Sequence, residues 1–142
     1  TDSFEITVPK LFSTGGTAKI GYIFGYKSKK LMQSNVLWGK GTGDNASLAS
    51  ILDTANLLRT HFLKKRYKLE GLIANAKISD TSTIVFRGKD KKNRMVLLIL
   101  NASSDTTLSV EESNKEVSLV LSYIEDAENP DIRKIVIEDD EF

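Results

Sequence analysis

Leu48, Ile51, Leu52, Ala55, Leu58 and Phe62 recur at the three-and-four spacing of an amphipathic helix, in a chain whose other apolar residues mostly alternate with polar ones. A single change of period leaves few ways to bury apolar surface: the helix must lie against a sheet built by the flanking segments. Asp44, Asn45 and Ser47 precede the helix as candidate N-caps, whose side-chain oxygens satisfy free backbone donors. Asn45 reads as such a cap rather than as a glycan acceptor, although Asn45-Ala46-Ser47 and Asn101-Ala102-Ser103 both match N-x-S/T. Lys64, Lys65 and Arg66 follow the stripe, where cations complement the negative end of the helix dipole. The spacing and its flanks predict a helix over 46–66.

Around it the period is that of strands. Phe4, Ile6 and Val8 alternate with polar neighbours. Residues 18–26 place Ile20, Tyr22, Phe24 and Tyr26 on one face and Gly21, Ile23 and Gly25 on the other. The two glycines make room there for a closely packed helix. Strands are also expected over 31–38, 72–78, 83–88, 95–101 and 117–124, with Ile135 and Ile137 on a short edge strand. Met95 to Leu100 is apolar on both faces, which calls for a central strand covered on both sides or held at a partner contact. Asn101 to Thr107 reads as a polar loop. The expected fold class is α+β: a mostly antiparallel sheet of about six to seven strands packed on one long helix. It forms a single domain over 1–137, followed by an acidic frayed tail, 138–142.

The residue inventory removes whole classes of chemistry. With no Cys among 142 residues there are no disulfides, thiolate metal sites or cysteine nucleophiles. The only His, His61, has no second imidazole with which to share a metal, and it reads as a partly exposed helical residue one step off the apolar stripe. Glu125, Asp126, Glu128 and Asp131 lack the alternating ligands and central Gly of a calcium loop. No metal, cofactor or catalytic residue is therefore assigned. No apolar run approaches the ~18 residues that span a bilayer.

Two candidate sites remain. Gly39, Gly41 and Gly43 form a Gly-rich turn between a strand and the helix, a place where backbone N–H groups can meet phosphate. Their spacing is G-x-G-x-G, however, which matches neither nucleotide template and reads more simply as a turn needing positive φ. The second is electrostatic. Residues 1–110 hold 17 Lys/Arg against 8 Asp/Glu, whereas residues 111–142 hold 3 against 11, so a net charge of +1 conceals a basic body and an acidic end. Lys27, Lys29, Lys30, Lys89, Lys91, Lys92 and Arg94 are the candidate anion-binding residues, provided their two turns share one end of the sheet. The acidic end can equally pair with that body within the molecule.

These features lead first to a small non-enzymatic binding module acting on an unknown protein or a small ligand. The opening Thr1-Asp2-Ser3 is what removal of a signal peptide or of a tag would leave. On the former reading the module is exported, secreted or periplasmic; a cytoplasmic setting is the alternative. The second reading is an intracellular nucleic-acid or polyanion binder with a basic body and a self-screening acidic tail. For it, Tyr22, Phe24 and Tyr26 would stack on bases instead of serving as core. The third is a small enzyme of unidentified class.

Overall fold

A computed structural model of the chain describes residues 2–130. The order of elements is β1 (Ser3–Val8), β2 (Ala18–Phe24), β3 (Leu31–Gly39), α1 (Leu48–Leu63), β4 (Ile73–Lys77), β5 (Ser82–Lys89), β6 (Met95–Asn101), α2 (Val110–Glu116) and β7 (Ser118–Ile124). All seven strands form one antiparallel sheet in the order β1-β2-β3-β7-β6-β5-β4. The fold class is α+β, as the periodicity implies. Two three-stranded meanders are joined by the last strand, which pairs with β3 on one side and β6 on the other. The expected Ile135–Ile137 strand and the 138–142 tail lie outside the described residues.

The helix has 16 residues and is shorter at both ends than 46–66. Ser47, not Asn45, is the N-cap: its hydroxyl accepts the Ser50 N–H at 3.1 Å. The expected inward face is also rotated. Ile51, Thr54, Ala55, Leu58 and Phe62 are buried, while Leu52 is 38% exposed. Thr54 replaces Leu52 on the inner face because its hydroxyl is satisfied there, 2.6 Å from the Thr14 hydroxyl and donating to the Ser50 carbonyl at 3.0 Å. A second helix, α2, follows the loop after Asn101. Its Ser109–Glu112 capping box closes its first turn, and it buries no side chain of its own.

Helix α1 runs from the sheet end where β3 finishes to the end where β4 starts, crossing β5, β6 and β7. It covers the face carrying Ala18, Val36, Trp38, Phe86, Val96, Leu98, Leu119 and Leu121. Phe62 stacks on Phe86 with centroids 5.5 Å apart and meets Tyr123 edge-on. This is the face of Ile20, Tyr22 and Phe24, so the expectation that Gly21 marks the helix side is wrong: nothing lies within 4 Å of a Cβ built on Gly21. Nor is Met95–Leu100 covered on both sides. Val96 and Leu98 are buried beneath the helix, while Met95, Leu97 and Ile99 share with Leu37 and Val120 a half-buried opposite face over which no described helix lies. The helix also stops short of β1 and β2, where Phe4, 53% exposed, stacks on Tyr22 and Phe24.

Candidate functional site

Because α1 leans over β5, β6 and β7, a space opens along its other flank. This cleft has a volume of about 700 Å³. Its floor is the sheet, through Val36 and Trp38 of β3 and Leu121 and Tyr123 of β7. Leu11 and Phe12, from the loop after β1, make one wall. The other is the flank of α1, with Leu57, Leu58, His61 and, at its C-cap, Lys64. The lining is predominantly apolar, and Leu57, 50% exposed, projects at its edge. The volume falls within the range of pockets that enclose small organic ligands.

Trp38 carries a polar anomaly beneath the floor of this cleft. The residue is fully buried, yet its indole N–H has no hydrogen-bond partner among the described residues. Phe12 stacks on the ring with centroids 5.9 Å apart, and a Cβ built on Gly15 would lie 3.0 Å from the indole edge. Gly15, at φ +88°, lets the 13–16 loop settle against Trp38, and its N–H donates to the Ser50 hydroxyl at 2.7 Å. A buried donor left unsatisfied costs about 1–3 kcal/mol, a cost met inside the fold, because the N–H is closed to solvent.

At the end where α1 finishes, the cleft adjoins a second cavity of about 670 Å³, with His61, Lys64 and Tyr123 lining both. The second cavity is polar. Lys64, Lys65, Arg66 and Arg94 border it, with Tyr67, Asp90 and Glu125. Arg94 Nε donates to Asp90 at 2.7 Å. Burial works to raise the Asp90 carboxyl, but the hydrogen bonds from Arg94 and from the Lys92 N–H outweigh it and hold the group below the usual carboxylate range. Burial pushes both the Tyr67 and Tyr123 hydroxyls up, and at Tyr67 the neighbouring Tyr123 and Asp90 add to it. Both phenols therefore stay protonated at neutral pH, with a hydroxyl proton free to be donated; neither is tuned to act as a base.

The strand register decides the condition set on the basic candidates. The 25–30 and 90–94 turns do share one end of the sheet, and the C-terminus of α1 reaches the same end. Lys27, Lys29 and Lys30 lie on the first turn, while Lys89, Lys91, Lys92 and Arg94 lie at the second; of these, Arg94 borders the polar cavity together with the third basic cluster, 64–66. Several charges are already engaged. Lys89 Nζ is 2.7 Å from Glu128, Lys29 is 3.9 Å from Asp2, and Arg94 holds Asp90. The Lys89 ammonium holds the Glu128 carboxyl below its ordinary range. Part of the acidic segment thus does pair with the basic body.

The Gly-rich turn stands apart from both cavities. Gly39, Gly41 and Gly43 all have positive φ, and Thr42, buried at the centre, closes the turn by donating toward the Gly39 and Asp44 carbonyls. Two of the first three helical N–H groups are occupied: Leu48 N–H donates to Asn114 Oδ1 at 2.7 Å and Ser50 N–H to the Ser47 hydroxyl. His61 is exposed, as its place beside the stripe implies, and packs edge-on to Phe62. Among the described residues no group of His, Asp and Glu is placed to hold a metal ion, and Asp131 of the acidic candidate set lies outside them. No described helix is long and apolar enough to cross a membrane.

The residues of the cleft come from four separated segments, and those that stand out in the sequence, Leu58 in the apolar stripe, His61 as the only His and Lys64 in a basic cluster, do so for reasons other than this site. Comparison of the chain with protein-family models, with curated proteins and with solved structures gives no match.

Proposed function

We propose that the protein is a small non-enzymatic binding module whose cleft between α1 and the sheet takes an apolar small molecule. One observation carries this reading: the cleft is walled by Leu11, Phe12, Leu57 and Leu58 over a floor that includes Val36 and Leu121, an apolar lining around a space the size of a small organic ligand. Calorimetric titration with dodecanol, in wild type and in Leu57→Trp, tests the reading. Residue 57 borders the cleft and is half exposed, so the indole fills the space without entering the core. Saturable binding in wild type that is lost in a variant with unchanged circular dichroism is the expected result. Equal binding in the two proteins, or none in wild type, refutes the assignment.

A second reading, a polyanion binder, draws on the gathering of three basic clusters at one end and on the half-buried Tyr22 and Phe24 and 39%-exposed Tyr26 beside the first of them. It is the weaker one because Lys29 and Lys89 already have carboxylate partners. Retention on immobilised heparin that falls steeply with salt, and that rises when residues 125–142 are deleted, would favour it.

A further inference from the structure

We infer that the ligand is an amphipathic anion, a single apolar chain ending in a carboxylate or phosphate, whose head group sits in the polar cavity against Lys64 and Arg94. The inference rests on the cleft-binding reading and adds the polarity and direction of the ligand. The two cavities adjoin, with His61, Lys64 and Tyr123 in the lining of both. The proposed ligand lies across this shared border, its chain on the apolar side toward Val36 and Leu121 and its head on the basic side beyond Tyr123.

Strand register sets its length. Trp38 pairs with Leu119 and Ser34 with Tyr123, four residues along the sheet, or about 14 Å at ~3.4 Å per residue. That accommodates a medium-length extended chain laid parallel to α1. The charge at the open end is set by what is already spent there. Asp90 occupies Arg94 Nε, which leaves the two terminal guanidinium nitrogens as donors. Lys64, Lys65 and Arg66 form no ion pair among the described residues, and Glu125 is the one other carboxylate in the lining. The Tyr67 and Tyr123 hydroxyls add neutral donors. A cavity so rich in donors and cations at the mouth of an apolar cleft selects an anionic head over a neutral or cationic one.

The test compares dodecanoate, decyl phosphate, dodecanol, dodecyltrimethylammonium and inorganic phosphate by calorimetry, each below its micelle-forming concentration. Both anionic amphiphiles should bind roughly tenfold tighter than dodecanol, the size of one charge-assisted hydrogen bond. That advantage should shrink at high salt and in Lys64→Ala or Arg94→Ala. Lys30→Ala, at the same end of the sheet but outside the lining, should keep it. Dodecanol binding as tightly as dodecanoate overturns the inference and leaves the cleft reading standing, as does a preference for the cationic amphiphile. Inorganic phosphate binding as well as decyl phosphate also overturns it, because the chain would then contribute nothing. A loss in Lys30→Ala equal to that in Lys64→Ala refutes the head-group pocket in favour of a diffuse field. No binding by any amphiphile refutes the cleft reading and this inference together.

Discussion

Asn114 of α2 accepts the backbone N–H of Leu48 at 2.7 Å, so the second helix caps the first. The contact joins residues 66 positions apart and occupies a donor that the first turn of α1 cannot satisfy itself. Removing it in Asn114→Ala should cost about 1 kcal/mol, read as a lower urea midpoint. Ser113→Ala, its neighbour in α2, should leave the midpoint nearly unchanged. Equal effects would show that α2 is held by something other than this contact.

Ile51 is fully buried, whereas Leu52 is 38% exposed. Ile51→Ala should therefore cost about 2–5 kcal/mol and Leu52→Ala well under half of that. Denaturant titration of the two variants, with helicity followed by circular dichroism, measures the rotation of α1 directly. A reversal of the order would place the wrong flank of the helix on the sheet.

Gly39 has φ +85°, and a Cβ there would run into the Val117 carbonyl oxygen. Gly39→Ala combines left-handed strain with that collision, so a loss on the order of 3 kcal/mol is expected. Gly43 also has positive φ, but nothing lies within 4 Å of its Cβ position. Gly43→Ala should cost only the strain. The difference between the two thermal midpoints isolates the steric part.

The Asp90 carboxyl is held below its ordinary value of 3.8 by Arg94 and the turn backbone. A group whose folded pKa is depressed contributes stability that is present above the unfolded pKa and lost as pH falls through the folded one. The stability advantage of wild type over Asp90→Asn should thus be constant near pH 6 and shrink below about pH 4. Urea midpoints of both proteins across that range test it. A gap that widens on acidification would contradict the assigned direction.

How much of this was legible in the sequence depended on the signal each element leaves. Period alone separates α1 from the strands, because burial on one side leaves a repeating mark. The rotation of α1 escaped because Thr54 is a buried polar residue, and partners as distant in sequence as Thr14 are what make its burial cheap. Helix α2 left only its capping box, Ser109-x-x-Glu112, with no apolar stripe after it; that motif was the one signal available. Whether the Lys27–Lys30 and Lys89–Arg94 turns share an end follows from strand order, which periodicity does not encode. The cleft left no local mark, since Phe12, Trp38, Leu57 and Leu121 meet only when the sheet forms under the helix.

The most direct test of the central claim is a two-dimensional amide and indole NMR titration with dodecanoate. The chain has a single Trp, so the indole N–H of Trp38 gives one resolved reporter inside the cleft. Binding as described shifts that resonance together with the Leu57, Leu58 and Leu121 amides, saturating with one ligand per chain. Shifts centred instead on Leu37, Leu97, Ile99 and Val120 would place the ligand on the open face of the sheet and contradict the account, as would an indole signal that stays fixed at saturation.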